Sequence, residues 1–261
     1  GTGSGAARDA GSRFRVESLG KSGDREMRIE GAVHYKQDSH LNPAQFMERL
    51  RKRVVEMGGA IEYGVEVDAV NRKGDRVVSV SAGERVLEGE RFVIAGGAWT
   101  AALLRQVGLK LPLQAGKGYS LTLEQPPELP ELCSIFAEAK VAITPMGSSL
   151  RFAGTMEVGD NDLSINRSRV QGIVKSVPRY FPGFSESDFD KVQPWAGLRP
   201  VSPDGVPYLG SVDGLANLHA STGHAMMGLS LGPVTGRLMA DLLTGSEPFR
   251  PIGDLAVGRF G

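Results

Sequence analysis

Arg199 sits in the string Trp195-Ala196-Gly197-Leu198-Arg199-Pro200. A glycine-rich run, Thr222-Gly223-His224-Ala225-Met226-Met227-Gly228, follows shortly downstream. A guanidinium is a planar fork that meets a carboxylate through two parallel hydrogen bonds, so Arg199 is a candidate anchor for an acidic ligand group. An arginine paired with an internal acid where two units join is the competing reading. The glycine-rich run offers different chemistry. A turn without bulk that feeds a helix start lets a ligand's oxygens approach unpaired backbone N–H groups. His224 lies inside this run, where a lone histidine more often makes a local hydrogen bond than carries acid–base work. The Tyr119 hydroxyl could close a pocket, although a buried tyrosine satisfied elsewhere accounts for it equally well. Nothing in the spacing of His34, Tyr35 and His40 makes a metal site, and none is expected. Cys133 has no basic neighbour before Lys140, which argues against a reactive thiolate.

Regular elements must hold these residues in place. Residues 26–36 read as a strand, and Asn42-Pro43 caps a helix with Phe46, Met47, Leu50, Val54 and Met57 on one face and Gly58-Gly59 at its end. Ile61, Tyr63, Val65 and Val67 alternate and predict a half-buried strand. Val77–Val80 and Arg85–Leu87 form a predicted hairpin, and Arg91–Ala95 suits a buried parallel strand. That strand passes through Gly96-Gly97-Ala98-Trp99 into a helix carrying Leu103, Leu104 and Val107. From Leu109 the chain becomes mainly β. Leu111–Leu113 and Tyr119–Leu123 read as strands, and Lys140–Thr144 with Leu150–Gly154 as a hairpin turning at Met146–Ser149. A helix is expected from Asn166 until Pro178 disrupts it, then a strand over Val192–Leu198. The last helix has Pro233 near its start, Leu238, Leu242 and Leu243 on one face, and Gly245 after its end. This order predicts α/β plus α+β architecture, a discontinuous α/β unit with a mainly antiparallel unit inserted.

The 261 residues are enough for a full core, and 41% hydrophobic with 23% charged residues suits an ordinary globular chain. Thirty basic and thirty acidic side chains cancel, which leaves no electrostatic footprint for nucleic acid. No apolar run has the length of a transmembrane segment. One cysteine excludes an internal disulfide framework and suits a cytoplasmic setting.

Several segments occur in a telling order: Gly31–Tyr35 with Asp38–Pro43, Phe92–Thr100, Leu111–Ser120, and the C-terminal pair described first. Together they resemble the D-amino-acid oxidase superfamily, and within it the D-amino-acid dehydrogenase and glycine oxidase branch. The resemblance implies non-covalent FAD and a small, D-configured amino acid as substrate. Arg199 would hold the substrate carboxylate, with Tyr119 beside it. Gly223, His224, Ala225, Met226, Met227 and Gly228 would approach the flavin ring mainly through backbone amides. Many relatives carry glycine where this chain has Ala225. Gly96, Gly97 and Trp99 would line the dinucleotide side, although a tight strand–helix turn explains them equally, and Val67 would pack near the adenine.

The expected reaction is oxidative deamination to the 2-oxo acid by hydride transfer to flavin, with a quinone or oxygen as electron acceptor. A glycine- or sarcosine-type oxidase is the alternative enzyme. A truncated non-catalytic module that binds a protein partner is the alternative from another class. The implied division gives 41–108 and 199–245 to the FAD-binding part, and 25–40 and 109–198 to the substrate part. Residues 1–12 would be a disordered tail and 246–261 a C-terminal extension. The location implied is cytoplasmic, with peripheral attachment to the inner membrane as a variant. Gly1-Thr2-Gly3-Ser4-Gly5 follows no strand and opens no helix, so it is not the dinucleotide fingerprint. That βαβ unit is expected upstream of Gly1 or on a partner chain, and its lack would expose a sheet edge and apolar surface.

Overall fold

The computed structural model describes residues 16–19, 31–35, 38–159 and 161–260. The proposed tail over 1–12, with its glycines, lies outside them. Strand β1 (Val16–Leu19) pairs antiparallel with β2 (Ala32–Tyr35), the described part of the strand predicted over 26–36. Helix α1 (Pro43–Glu56) begins as the sequence requires. The Asn42 side chain accepts the Gln45 N–H at 3.2 Å, Pro43 fills the first turn, and Gly58 turns the chain away at φ 87°. Its apolar stripe is uncovered: Met47, Leu50, Val54 and Met57 are all exposed.

The strand predicted over Ile61–Val67 does not form. Alternating side chains become a strand only when a neighbour supplies the hydrogen-bond ladder, and no described strand lies alongside this stretch. Ile61 and Tyr63 are exposed, while Val65 and Val67 are half-buried. Beyond it β3 (Ala69–Lys73), β4 (Arg76–Ala82) and β5 (Arg85–Glu88) form an antiparallel meander that contains the predicted hairpin. Buried Asn217 fastens this meander to the rest. Its Oδ1 accepts the Val77 N–H at 2.9 Å, and its Nδ2 donates to the carbonyls of Val77 at 2.8 Å and Glu90 at 3.0 Å.

Strand β6 (Phe92–Ile94) leads through a 3-10 turn over Gly97–Trp99 into α2 (Thr100–Gln106), with Leu104 and Val107 buried. A long antiparallel sheet follows, built from β7 (Gln114–Leu123), β8 (Ser134–Phe136), β9 (Val141–Met146) and β10 (Ser149–Gly159). The β9–β10 turn passes through Gly147 at φ 70°, where the hairpin was predicted. Leu111–Leu113 is not a strand. Helix α3 (Arg167–Tyr180) crosses one face of the sheet, its N-terminus capped by the Asn166 side chain.

Pro178 does not end α3. It costs the last turn one hydrogen bond, but the turn is held by packing, with Tyr180 stacked on Phe136 at 4.0 Å between ring centroids and Phe181 buried beside it. Strand β11 (Trp195–Val201) completes the sheet in the order β11-β7-β10-β9-β8. It starts and ends three residues later than Val192–Leu198.

The chain then forms β12 (Tyr208–Ser211), β13 (Leu218–Thr222) and α4 (Gly228–Thr244). Strand β13 pairs antiparallel with β12 and parallel with β6, which confirms the predicted parallel strand. The outer edge of β6 has no strand neighbour among the described residues, and Val93 is 40% exposed rather than buried. Helix α4 starts at Gly228, so Pro233 lies inside it, and Gly245 ends it in the left-handed conformation. Leu238 and Met239 pack on Leu209. The C-terminal segment is clamped by Arg259, which donates to both oxygens of Asp204 at 2.9 and 3.0 Å and lies 3.9 Å from the Tyr208 ring centroid.

Candidate functional site

Strand periodicity divides the long sheet into two faces. Tyr119, Leu121 and Phe152 point toward Ile173, Val174 and Val177 of α3 and build its core. The register pairs Gly116 with Arg199, Gly118 with Gly197 and Ser120 with Trp195, so these residues share the other face. A Cβ on Gly118 would stand 2.1 Å from Nη1 of Arg199, and one on Gly197 would stand 2.2 Å from the Trp195 ring. Glycines therefore leave the floor on which the guanidinium and the indole lie.

Arg199 is half-buried, and its buried Nη1 has no hydrogen-bond partner. Burial lowers the guanidinium's proton affinity, although an arginine stays charged. Among the described residues no carboxylate pairs with it. A buried fork with a free donor suits an external carboxylate.

Tyr119 is not on this face. It is one residue out of phase with Gly118, 1% exposed, and its hydroxyl reaches Glu157 Oε2 and the Asn166 N–H, each at 3.4 Å. The expectation that it closes a pocket beside Arg199 is therefore corrected. Tyr119 belongs to a polar network under the sheet, where buried Lys117 donates to Asp162 Oδ2 at 3.0 Å and to the Ser164 carbonyl at 3.1 Å. Donors from Ser164, with Lys117 beside them, hold Asp162 at about 2.

A cleft of 410 Å³, lined by Pro200, the residue that follows Arg199, gathers residues from three distant segments. Ala95 and Gly97 come from the β6–α2 turn, Pro200 from β11, and Thr222, His224, Ala225 and Gly228 from the glycine-rich run. Hydrogen bonds tie these segments together. Thr222 Oγ1 donates to the Gly97 carbonyl at 2.9 Å, and the Ala225 N–H donates to the Pro200 carbonyl at 2.9 Å. Gly97 and Ala225 both have positive φ, 55° and 47°. A left-handed backbone at position 225 is what glycine adopts freely, so alanine keeps the turn at a conformational cost.

Helix α4 opens onto the cleft at Gly228 without a side-chain cap and without an acid in its first turn. Its first-turn N–H groups and dipole favour a negatively charged ligand edge. The cleft lining contains no lysine or arginine.

His224 acts locally. Its Nε2 shares a hydrogen bond with Thr235 Oγ1 at 3.0 Å, and burial depresses its pKa below the usual 6.5. Burial does the same to His219 of β13. The unfolded chain then takes up these protons first, so stability is full above pH 6.5 and falls as pH drops below it. Melting curves between pH 8 and 5 are expected to show this loss, and His224→Gln should reduce the slope. An unchanged slope in both His224→Gln and His219→Gln would exclude these histidines as its source.

The remaining expected residues lie outside the cleft lining. Gly223 (φ 83°) packs on Tyr208, Gly96 packs behind Thr100, and Trp99, Met226 and Met227 are exposed at the surface. Val67 lies in the unpaired stretch before β3. Sequence reasoning missed Ala95, Pro200, Ser221, Thr222, Gly232, Thr235 and Gly236 as lining residues. One signal for some of them was present: Gly228, Gly232 and Gly236 recur every four residues and so share one face of α4. A Cβ on Gly232 or Gly236 would meet nothing within 4 Å.

The family profile described as DAO, FAD dependent oxidoreductase, matches residues 6–242. The chain belongs to this family. It is 36% identical over 226 residues to a D-amino acid dehydrogenase of Methylobacterium radiotolerans, covering 85% of this chain and 52% of that protein. A D-amino acid dehydrogenase of Xanthobacter autotrophicus is 35% identical over the same shares. The chain thus spans about half the length of the curated relatives it matches. Among solved structures, glycine oxidase from Geobacillus kaustophilus superposes with a TM-score of 0.78 at 25% identity, over 89% of this chain and 62% of the other. Iminodiacetate oxidase from Chelativorans sp. BNC1 shares the fold, with a TM-score of 0.80 at 19% identity, over 93% of this chain and 67% of the other.

FAD is therefore the cofactor of the family to which the chain belongs. The cleft fits the ring end of such a cofactor. Its walls are glycine, alanine, proline, serine and threonine with one histidine, its helix N-terminus is uncapped, and its volume lies within the range of small-ligand sites. It does not fit the pyrophosphate, for which it has neither a cation nor a glycine-rich βαβ turn. Among the described residues no helix is long and apolar enough to cross a membrane.

Proposed function

We propose that this chain carries the substrate-binding and flavin-ring half of an oxidoreductase that deaminates a small D-amino acid to its 2-oxo acid. The observation that carries this reading is the buried, unpartnered Nη1 of Arg199, one residue before Pro200 in the lining of a cleft that opens onto a helix N-terminus. When bound, FAD supplies the two-electron oxidising power for the C–N bond. The chain's own residues bind and orient. Arg199 holds the carboxylate with its fork, which fixes the Cα–H toward the cleft. Backbone donors at Gly228 and the following turn of α4 would hold the ring edge of the cofactor and favour negative charge there. His224, bonded to Thr235 and kept neutral by burial, orders the turn and moves no proton.

In this reading 41–108 and 199–245 form the cofactor side, and 25–40 and 109–198 the substrate side. FAD is held without a covalent bond, and electrons leave to a quinone or to oxygen. The dehydrogenase reading is preferred over a glycine-type oxidase because the named dehydrogenases are 36% and 35% identical, against 25% for the glycine oxidase.

The test is to incubate the purified chain with FAD, desalt it, record the visible spectrum, and add D-alanine without oxygen. A retained flavin band that D-alanine bleaches faster than L-alanine is expected. A protein that returns colourless would refute the claim that these residues suffice to hold the ring. A band that no small amino acid bleaches would refute the substrate class.

A further inference from the structure

Two buried polar atoms without partners flank Gly118. One is Nη1 of Arg199. The other is Oγ1 of Thr155. Strand β10 runs in register with β7 up to the pair Gly154–Tyr119 and resumes at Glu157–Lys117, so Thr155 and Met156 together stand opposite the single residue Gly118. This is a β-bulge, a device that re-aims side chains and gathers near binding sites. Gly154 and Glu157 belong to the α3 face, as their partners Tyr119 and Lys117 do, which assigns Thr155 and Met156 to the Arg199 face. The Met156 sulfur agrees, lying 3.1 Å from where a Cβ of Gly116 would be.

Thr155 is held at φ 61°, a left-handed position at which bulges usually carry glycine and which strains a β-branched residue. A strained residue with an unsatisfied buried hydroxyl gains nothing for the fold. Glycine there would relieve the strain and leave no orphan atom.

From the bulge, the two orphan atoms and their shared face, we infer that Thr155 is a second binding residue for the substrate carboxylate, its hydroxyl donating to the carboxylate held by Arg199. A carboxylate has about four acceptor sites and a bidentate arginine occupies two, so a third donor is accommodated. This inference rests on the proposed role of Arg199.

The test uses propionate, the des-amino counterpart of alanine, titrated into the FAD-treated chain with Trp195 fluorescence as the readout. Trp195 is exposed on the same face as Arg199. Thr155→Val is expected to weaken propionate binding about tenfold or more, and Thr155→Ser to stay within about twofold of the original. Thr155→Gly should bind as poorly as Thr155→Val while melting at a higher temperature, which shows that loss of binding is not loss of fold.

If Arg199→Ala abolishes binding and Thr155→Val does not weaken it, the assignment of Thr155 falls and that of Arg199 stands. If Arg199→Ala also binds normally, both fall. If Thr155→Val raises the KM for D-alanine but leaves propionate unaffected, the hydroxyl meets the amine and the carboxylate assignment is overturned.

Discussion

Arg199→Ala should weaken propionate and D-alanine binding on the order of 100-fold, because two charge-assisted hydrogen bonds to one carboxylate are lost together. The same change should not lower the melting temperature. Among the described residues Arg199 has no acid to leave unpaired, and its partly buried charge is a cost to the folded protein. These paired signs separate a ligand anchor from a structural arginine, whose removal would strand a buried carboxylate and destabilise the chain. Flavin retention should stay unchanged, since Pro200 rather than Arg199 lines the cleft. Arg199→Lys is expected to recover only part of the binding, because an ammonium cannot reproduce the planar fork. Unaltered binding in Arg199→Ala would remove the central residue of the proposal.

Gly236→Leu is expected to act in the opposite sense on fold and function. Gly236 is in the interior of α4 with no proline after it, its Cβ would meet open space, and replacing a helical glycine stabilises by up to about 1 kcal/mol. The new side chain enters the cleft, however, and should abolish flavin retention after desalting. A variant that melts higher yet returns colourless would locate the flavin ring against this face of α4. A variant that retains flavin as the original does would show that the ring lies elsewhere. Gly232→Leu, one helical turn nearer the start of α4, is the control for how far the ring extends and is read by flavin retention alone, because Pro233 follows it.

The two motifs that carry the proposal were legible in the chain from residue type and spacing alone. Gly197-Leu198-Arg199-Pro200 is compact, and the glycine-rich run leads into a helix with clear end signals at Gly245. Local chemistry also determined where α1 begins, since Asn42 and Pro43 act within one turn of each other. The β9–β10 hairpin is equally local, because Gly147 must take a positive φ wherever that turn forms.

Expectations failed where a distant neighbour decides. Ile61 to Val67 alternate as a strand should, but a strand also needs a ladder partner, and none of the described strands provides it. Tyr119 has the chemistry of a pocket residue. Only the register of β7 shows that it points away from Arg199, because a shift of one residue reverses the face.

The sequence by itself determined the family, the arginine that can grip a carboxylate, and the glycines that let a ligand approach backbone. Tertiary structure alone decided that Ala95, Pro200 and Gly228 surround one cleft, since these residues are far apart along the chain and meet only through strand pairing and helix packing. It also decided that Thr155, ordinary in sequence, stands strained opposite Gly118. A bulge is a mismatch in length between two paired strands, so it belongs to the pair and is written in neither strand alone.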